Sequence, residues 1–316
     1  MPEERDFKEV ESSLLNQAVV TSSTRRFVSI INSKKEELLA TASRKLGDLI
    51  PGDKVLYNTA AFGDEQAYVH SVEPRKNCLS RSYFGKSKLL AANISELWIT
   101  IAPPPLFNSK ALDRTLAVAF SENIPTKILA NKSDLSSFCL LSETLEYYEN
   151  IGIPVIKTST LTGEGIDKCC NLIEYSEIVV VTGISGVGKS SLLKKILKKD
   201  IRTGQVSDKT GQGKQTTSVA QAYIYDNPSA NPNQLQLVID LPGIQSFGVS
   251  HLNEESLISL IPDILKYSKN CKFDNCSHLK EVQCGVKEAL AQGKILTSRY
   301  ESFLEMLEEI RKSNKF

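Results

Sequence analysis

Three short stretches of this chain carry the residue types that hold a nucleotide. Gly183-Ile184-Ser185-Gly186-Val187-Gly188-Lys189-Ser190 spells G-x-x-x-x-G-K-[ST], a loop whose small residues let successive backbone N–H groups point at phosphate oxygens. Gly183, Gly186 and Gly188 permit that approach, Lys189 brings charge to the β- and γ-phosphates, and Ser190 offers a hydroxyl to Mg2+; from Ser191 the chain continues as a helix. Asp240-Leu241-Pro242-Gly243 reads as D-x-x-G, with a carboxylate that reaches Mg2+ through water and a glycine N–H that senses the γ-phosphate. Asn131-Lys132-Ser133-Asp134 supplies the base reader. Asp134 can accept from the N1–H and the exocyclic amine of guanine and would stand unpaired against adenine. Sites built on such bonds reject the mismatched analogue by factors of about 10⁴–10⁵.

The order of these stretches is informative. A GTPase ordinarily places its phosphate loop before its guanine reader, whereas here Asn131–Asp134 comes first. The chain reads as a GTPase cut open and rejoined elsewhere. Between the phosphate loop and Asp240 lies a glycine-rich polar segment, Lys198 to Ser218, where a GTPase keeps its first switch. Thr216 and Thr217 are both candidates for the hydroxyl that meets Mg2+ and the γ-phosphate; the segment reads equally as a plain loop in the absence of GTP.

These residues need strands to position them. Leu97–Ala102, Thr126–Ala130, Pro154–Thr158, Ile178–Thr182 and Leu235–Ile239 are apolar runs alternating with helical segments such as Leu112–Ser121. That grammar predicts a parallel sheet covered on both faces, with binding residues where strands end. Asn131, Gly183 and Asp240 each follow such a run, and Lys157-Thr158-Ser159-Thr160 ends another as a base-supporting loop, with Ser159 the residue set against the base reader. Ahead of the sheet, Ala18–Thr21, Arg26–Ile30, Leu38–Thr41, Lys54–Tyr57 and Ala67–Val72 are five short β-rich runs separated by turn residues. They fit a small barrel such as an OB-fold, or another small all-β domain.

A second constellation lies near the C-terminus. Cys271, Cys276, His278 and Cys284 make a complete Cys₃His set for one tetrahedral structural Zn2+, with no position left open for catalysis. The expected division is a tail over 1–16, a barrel over 17–90, the nucleotide domain over 91–249 and a helical metal-binding domain over 250–316.

The whole chain has 316 residues, 41% hydrophobic and 24% charged, with a net charge of +1. These are values of a soluble globular protein, and they leave any nucleic-acid contact to local charge. No apolar run approaches the roughly 20 residues needed to span a bilayer. The acidic start Met1-Pro2-Glu3-Glu4 is unlike a secretory signal. Seven cysteines, an odd number, argue against a disulfide framework and for a reducing compartment, the cytoplasm.

Taken together, the motifs resemble the ribosome small-subunit-dependent GTPases, the RsgA (YjeQ/EngC) family of circularly permuted bacterial GTPases. The resemblance covers nearly all the chain after the tail: Ala91-Ala92-Asn93-Ile94, the reversed motif order, Cys-x₄-Cys-x-His-x₅-Cys, Val286-Lys287-Glu288-Ala289 and Arg299-Tyr300. It implies an OB-fold, a permuted P-loop GTPase domain and a C-terminal zinc-binding domain. It also implies a monomer that hydrolyses GTP on the small (30S) subunit late in maturation, contacts rRNA there, and then leaves. One departure is clear. Members typically carry G-R-H-T-T in the first switch, where this chain has Gly213-Lys214-Gln215-Thr216-Thr217, and Ile244 follows the D-x-x-G. Gln215 is therefore the candidate for positioning the attacking water.

For RNA, Arg75, Lys76, Arg81, Lys86 and Lys88 run with Tyr83 and Phe84 among them and no acid between. This is either a phosphate-and-base contact or a solvated face. Change at Gly243 is expected to shift the nearby C-terminal domain as a body. The rival from another class is a non-catalytic RNA assembly factor that only holds GTP. A P-loop ATPase or kinase is disfavoured by Asp134.

Overall fold

The computed structural model describes residues 15–24, 26–59, 67–83, 86–199, 220–226, 234–242 and 247–313. Most of the tail, all of Gly213–Thr217 and the pair Gly243-Ile244 fall outside these.

Five strands, β1 (Asn16–Ser23), β2 (Val28–Asn32), β3 (Glu37–Ala42), β4 (Lys54–Thr59) and β5 (Ala67–Val72), close a barrel in the order β1-β2-β3-β5-β4. β1 pairs antiparallel with both β2 and β4, and β3 runs parallel to β5. Closure removes the exposed edges that five short strands would otherwise present. The alternation seen in the sequence fills the interior with Val20, Ile30, Ala40, Val55 and Val69.

A hairpin of β6 (Cys78–Tyr83) and β7 (Lys86–Ala92) follows. It was not legible in the sequence, because Ser80-Arg81-Ser82 and Lys86-Ser87-Lys88 interrupt its apolar pattern. β7 runs through the expected boundary at residue 90, and its Leu90 and Ala91, with Leu79 of β6, join the core of the following domain. The barrel is seated there by the turn Pro51-Gly52-Asp53. Ala92 N donates to Pro51 O at 3.0 Å, and the buried Asn93 side chain donates to Gly52 O at 2.8 Å. Asp53, fully buried, receives Arg75 through two bonds of 2.6 and 2.8 Å. Arg75, the first residue of the basic stripe, is thus paired within this seat.

The central sheet has the order β10-β9-β8-β11-β13-β12, from β8 (Glu96–Ile101), β9 (Thr126–Ala130), β10 (Val155–Lys157), β11 (Ile178–Thr182), β12 (Gln221–Ile224) and β13 (Leu237–Asp240). All neighbours are parallel except the edge strand β12, which pairs antiparallel with β13. Period-two alternation sends successive side chains to opposite faces. Leu97, Ile99, Ile178 and Val180 join one core, with α1 (Ser109–Ser121) and α2 (Ser142–Asn150). Trp98, Val179 and Val181 join the other, with α3 (Ile166–Glu174) and α4 (Lys189–Leu197).

The first of these cores continues without a break into the C-terminal helices, α5 (Glu254–Ser259), α6 (Pro262–Ser268), α7 (Gly285–Ala291) and α8 (Thr297–Ser313), through Ile264, Val286, Phe303, Met306 and Ile310. At its centre sits a buried polar network. Arg299 of α8 donates to Asp113 of α1 and, at 3.2 Å, to Asp263 of α6. Tyr148 and Tyr147 of α2 donate to the same two carboxylates at 2.6 Å each. Among the described residues, no helix is long and apolar enough to cross a membrane.

Candidate functional site

The C-terminal ends of β9, β10, β11 and β13 meet along one edge of the sheet, around the point where chain order jumps back from β10 to β11. A ligand crevice is expected at such a switch point. The motifs that are reversed in sequence are adjacent here. Asn131, buried at the end of β9, donates its side-chain amide to Val187 O at 2.8 Å. Lys132 reaches Gly186 O at 2.9 Å. The Asn131–Asp134 stretch and the Gly183–Ser190 loop are thus bonded to one another directly.

Two glycines of the loop are required by this packing. A Cβ on Gly188, at φ 90°, would lie 2.4 Å from Asn131 Nδ2. A Cβ on Gly183, at φ 158°, would lie 2.5 Å from Thr100 O at the end of β8. Any side chain there separates the two motifs or lifts the loop off the sheet.

The base-reading end is held by the loop after β10. Ser159 donates its hydroxyl to Asp134 Oδ1 and itself accepts from Leu161 N and Thr162 N at 3.1 Å each, so it fixes the carboxylate to the loop backbone. Two residues complete the arrangement, Thr158, read in the sequence as part of this loop, and Glu164, which was not read there. Thr158 donates to Asn131 Oδ1 at 3.2 Å, and Glu164 accepts from the Ser133 hydroxyl at 2.5 Å. The only signal for Glu164 was its place a few residues past the same strand end.

At the phosphate end, Lys189 opens α4 and its ammonium is paired with Asp240 Oδ1. Asp240 is the last residue of β13 rather than the first after it. Burial raises its carboxyl above the ordinary range, while Lys189 pulls the other way. The pair brings the D-x-x-G carboxylate beside the helix start that carries Ser190 and Ser191, so its oxygens and the Ser190 hydroxyl offer the hard donors a Mg2+ ion takes. Ile184 and Ser185 lie in the turn between β11 and that helix, with Ile184 bordering a small space shared by Thr100, Leu106 and Thr115. Gln215, Thr216, Thr217 and Gly243 lie outside the described residues.

The second cluster forms beyond α6. The ligand atoms of Cys271, Cys276, His278 and Cys284 lie within 4.8 Å of one another. Cys271 and Cys284 Sγ are each 3.5 Å from His278 Nδ1 and 3.9 Å apart. Tetrahedral Zn2+ with bonds of about 2.3 Å to sulfur and about 2.0 Å to nitrogen requires S···S near 3.8 Å and S···N near 3.5 Å, roughly what is found. Burial lowers the His278 pKa and favours the neutral imidazole that ligates metals. His278 adopts φ 61° to turn its ring inward, and Tyr300 Oη donates to its carbonyl at 2.6 Å. Glu281 shapes the loop by accepting from Ser277 N, Leu279 N and Lys280 N at 2.8–3.0 Å and from the Ser277 hydroxyl. These bonds, that hydroxyl foremost, hold its pKa at about 2.

Comparison with known proteins places this geometry. The RsgA GTPase family model matches residues 72–250. Small ribosomal subunit biogenesis GTPase RsgA of Dichelobacter nodosus is 33% identical over 284 residues, 89% of this chain and 87% of its own. The protein of the same name from Porphyromonas gingivalis is 32% identical over 87% of this chain and 88% of its own. Among solved structures, YjeQ from Thermotoga maritima superposes with a TM-score of 0.70 at 27% identity, covering 94% of this chain and 99% of that one. YloQ, a circularly permuted GTPase, gives 0.65 at 23% over 94% and 96%, a likeness of fold. With the family model over more than half of its length and relatives a third identical over most of it, this chain belongs to the RsgA GTPase family.

Proposed function

We propose that this chain binds and hydrolyses GTP on the small (30S) ribosomal subunit late in that subunit's maturation, contacts its rRNA, and is released when GTP is spent. The observation that carries the reading is the direct bonding of Asn131 and Lys132 to the carbonyls of Val187 and Gly186, which makes one nucleotide site of two motifs far apart in the chain. The name shared by the relatives supplies the ribosomal setting.

In this reading Asp134, held by Ser159, takes the guanine edge, and the backbone from Gly183 to Ser191 takes the phosphates. Lys189 leaves Asp240 for the β- and γ-phosphate oxygens when GTP enters, and Asp240 is thereby freed. Ser190, Asp240 and one of Thr216 or Thr217 would hold Mg2+, which when bound neutralises charge on the β- and γ-phosphates. Gly243 senses the γ-phosphate, and Gln215 positions water in place of the family's switch histidine. Phosphoryl transfer needs positioning and charge neutralisation more than covalent chemistry, so ordering by the subunit raises a slow intrinsic rate.

Cys271, Cys276, His278 and Cys284 hold one structural Zn2+. The working division is a tail over 1–16, an OB-fold over 17–90, the permuted GTPase domain over 91–249 and the zinc-binding domain over 250–316, with β7 crossing at 90. The protein acts as a cytoplasmic monomer.

The test is multiple-turnover phosphate release with and without purified small subunits. Stimulation by the subunits is expected, and equal rates would defeat the reading. In the same assay, unchanged turnover by Gln215→Ala would remove Gln215 from the mechanism.

A further inference from the structure

Helix α1 lies between the phosphate loop and the C-terminal helix. Toward the loop, its Ala111 and Thr115 border the small space shared with Gly183, Ile184 and Val187. Toward α8, two ion pairs form one helical turn apart, Lys110 with Glu305 and Arg114 with Glu309. The pairs differ in what else they touch. Glu309 uses both carboxylate oxygens: Oε2 receives Arg114, and Oε1 accepts from Val249 N at 2.8 Å. Arg114 Nη1 also donates to Phe247 O at 3.3 Å. Phe247 and Val249 are fully buried, and both lie a few residues downstream of Asp240-Leu241-Pro242. Among the described residues, Lys110 and Glu305 bond to each other and not to that segment.

We propose that Arg114 and Glu309 are positioning residues for GTP hydrolysis. Together they clamp Phe247 and Val249, a few residues past the Asp240 strand end, and so act on GTP turnover from the C-terminal side of that strand end. Asp240 is held by Lys189, and the clamp holds Phe247 and Val249 further along the chain. Because Glu309 belongs to α8, the C-terminal helix becomes part of the hydrolytic apparatus without touching nucleotide. The clamp acts on an element that responds to the γ-phosphate. Its loss therefore lowers turnover of GTP and leaves GDP, which lacks that phosphate, bound as before.

This rests on the GTPase reading above, and the experiment separates the two. The full chain and the variants Glu309→Ala, Glu309→Gln and Lys110→Ala are compared for kcat of GTP hydrolysis with purified small ribosomal subunits and for GDP affinity by calorimetry. Glu309→Ala is expected to lower kcat about tenfold, the scale of one lost charge-assisted hydrogen bond, with GDP affinity within about twofold of the unsubstituted chain. Glu309→Gln keeps an oxygen for Val249 N–H and is expected to fall between the two. Lys110→Ala, which breaks the neighbouring pair alone, is expected to turn over normally.

Unchanged kcat in Glu309→Ala overturns the proposal. So does an equal loss in Lys110→Ala, which would reduce the clamp to helix docking, or an equal loss of GDP affinity, which would mean a loosened pocket. If Glu309→Ala does not fold, Arg114→Met, which removes the bond to Phe247 O and leaves Val249 to Glu309, carries the same comparison. No turnover by the unsubstituted chain would overturn the GTPase reading itself, and this proposal with it.

Discussion

The barrel and the C-terminal helices flank the same central sheet, but they are attached by different physics. The barrel keeps a core of its own, and of its buried strand residues Ile31 alone joins the core of the sheet. Its seat is a polar turn, Pro51-Gly52-Asp53, with Arg75 on Asp53 and two partly exposed ion pairs, Lys35 with Asp226 and Lys54 with Glu177. The C-terminal helices have no separate core. Phe303, Met306 and Ile310 bury against the same cluster as Leu112, Leu116 and Ile239, around the inaccessible Arg299 network. A module held at a polar turn can change its angle at little cost in buried surface. A module that shares a core cannot, and whatever it grips is felt by α1 and hence by the phosphate loop. The nearness of the C-terminal helices to Asp240 along the chain is therefore reinforced by packing.

The largest effect that would distinguish the two attachments is removal of the proposed zinc. Chelation is expected to lower the melting temperature of the C-terminal domain and the sheet together, by about 10 °C or more, and to leave the barrel's own transition in place. Calorimetry reads this, and a zinc-free protein whose sheet melts as before would show that the cores are separate after all.

Next is Arg299→Met, which strands Asp113 and Asp263 as buried carboxylates and is expected to cost about 3–5 kcal/mol in urea unfolding. Arg75→Met, at the barrel seat, leaves Asp53 with its bond from Ile50 N and is expected to cost less, about 2 kcal/mol. An equal cost for both would erase the contrast drawn here.

The smallest effect belongs to the exposed pair. Lys54→Ala is expected to change stability by at most about 1 kcal/mol. A larger loss would make surface charge a main tie of the barrel.

What could be read before folding was whatever is contiguous. The phosphate loop, Asn131–Asp134 and the Cys/His spacing each fit within a few residues, and the chemistry of each is set by residue type. The five barrel strands and the parallel strands announced themselves by apolar runs between turns. Contacts between distant residues were not readable. Arg75 looked like free charge because Asp53 lies in another turn of the barrel, and no local pattern joins them. Asp113, Asp263 and Arg299 are ordinary helix residues until three helices converge. Arg114 and Glu309 sit at surface-like helical positions, and their partners are backbone groups of Phe247 and Val249, which side-chain patterns do not encode. The β6–β7 hairpin escaped because its register places lysines and serines where periodicity looks for valines.

One joint is decisive, where Asn131 and Lys132, just past β9, meet the loop after β11. A crystal structure with GDP tests it most directly. The guanine edge is expected within hydrogen-bonding distance of the Asp134 carboxylate, about 2.8 Å, with the β-phosphate on the backbone between Gly183 and Ser190. A base lying away from Asp134, with the phosphates still in the loop, would contradict the permuted guanine site.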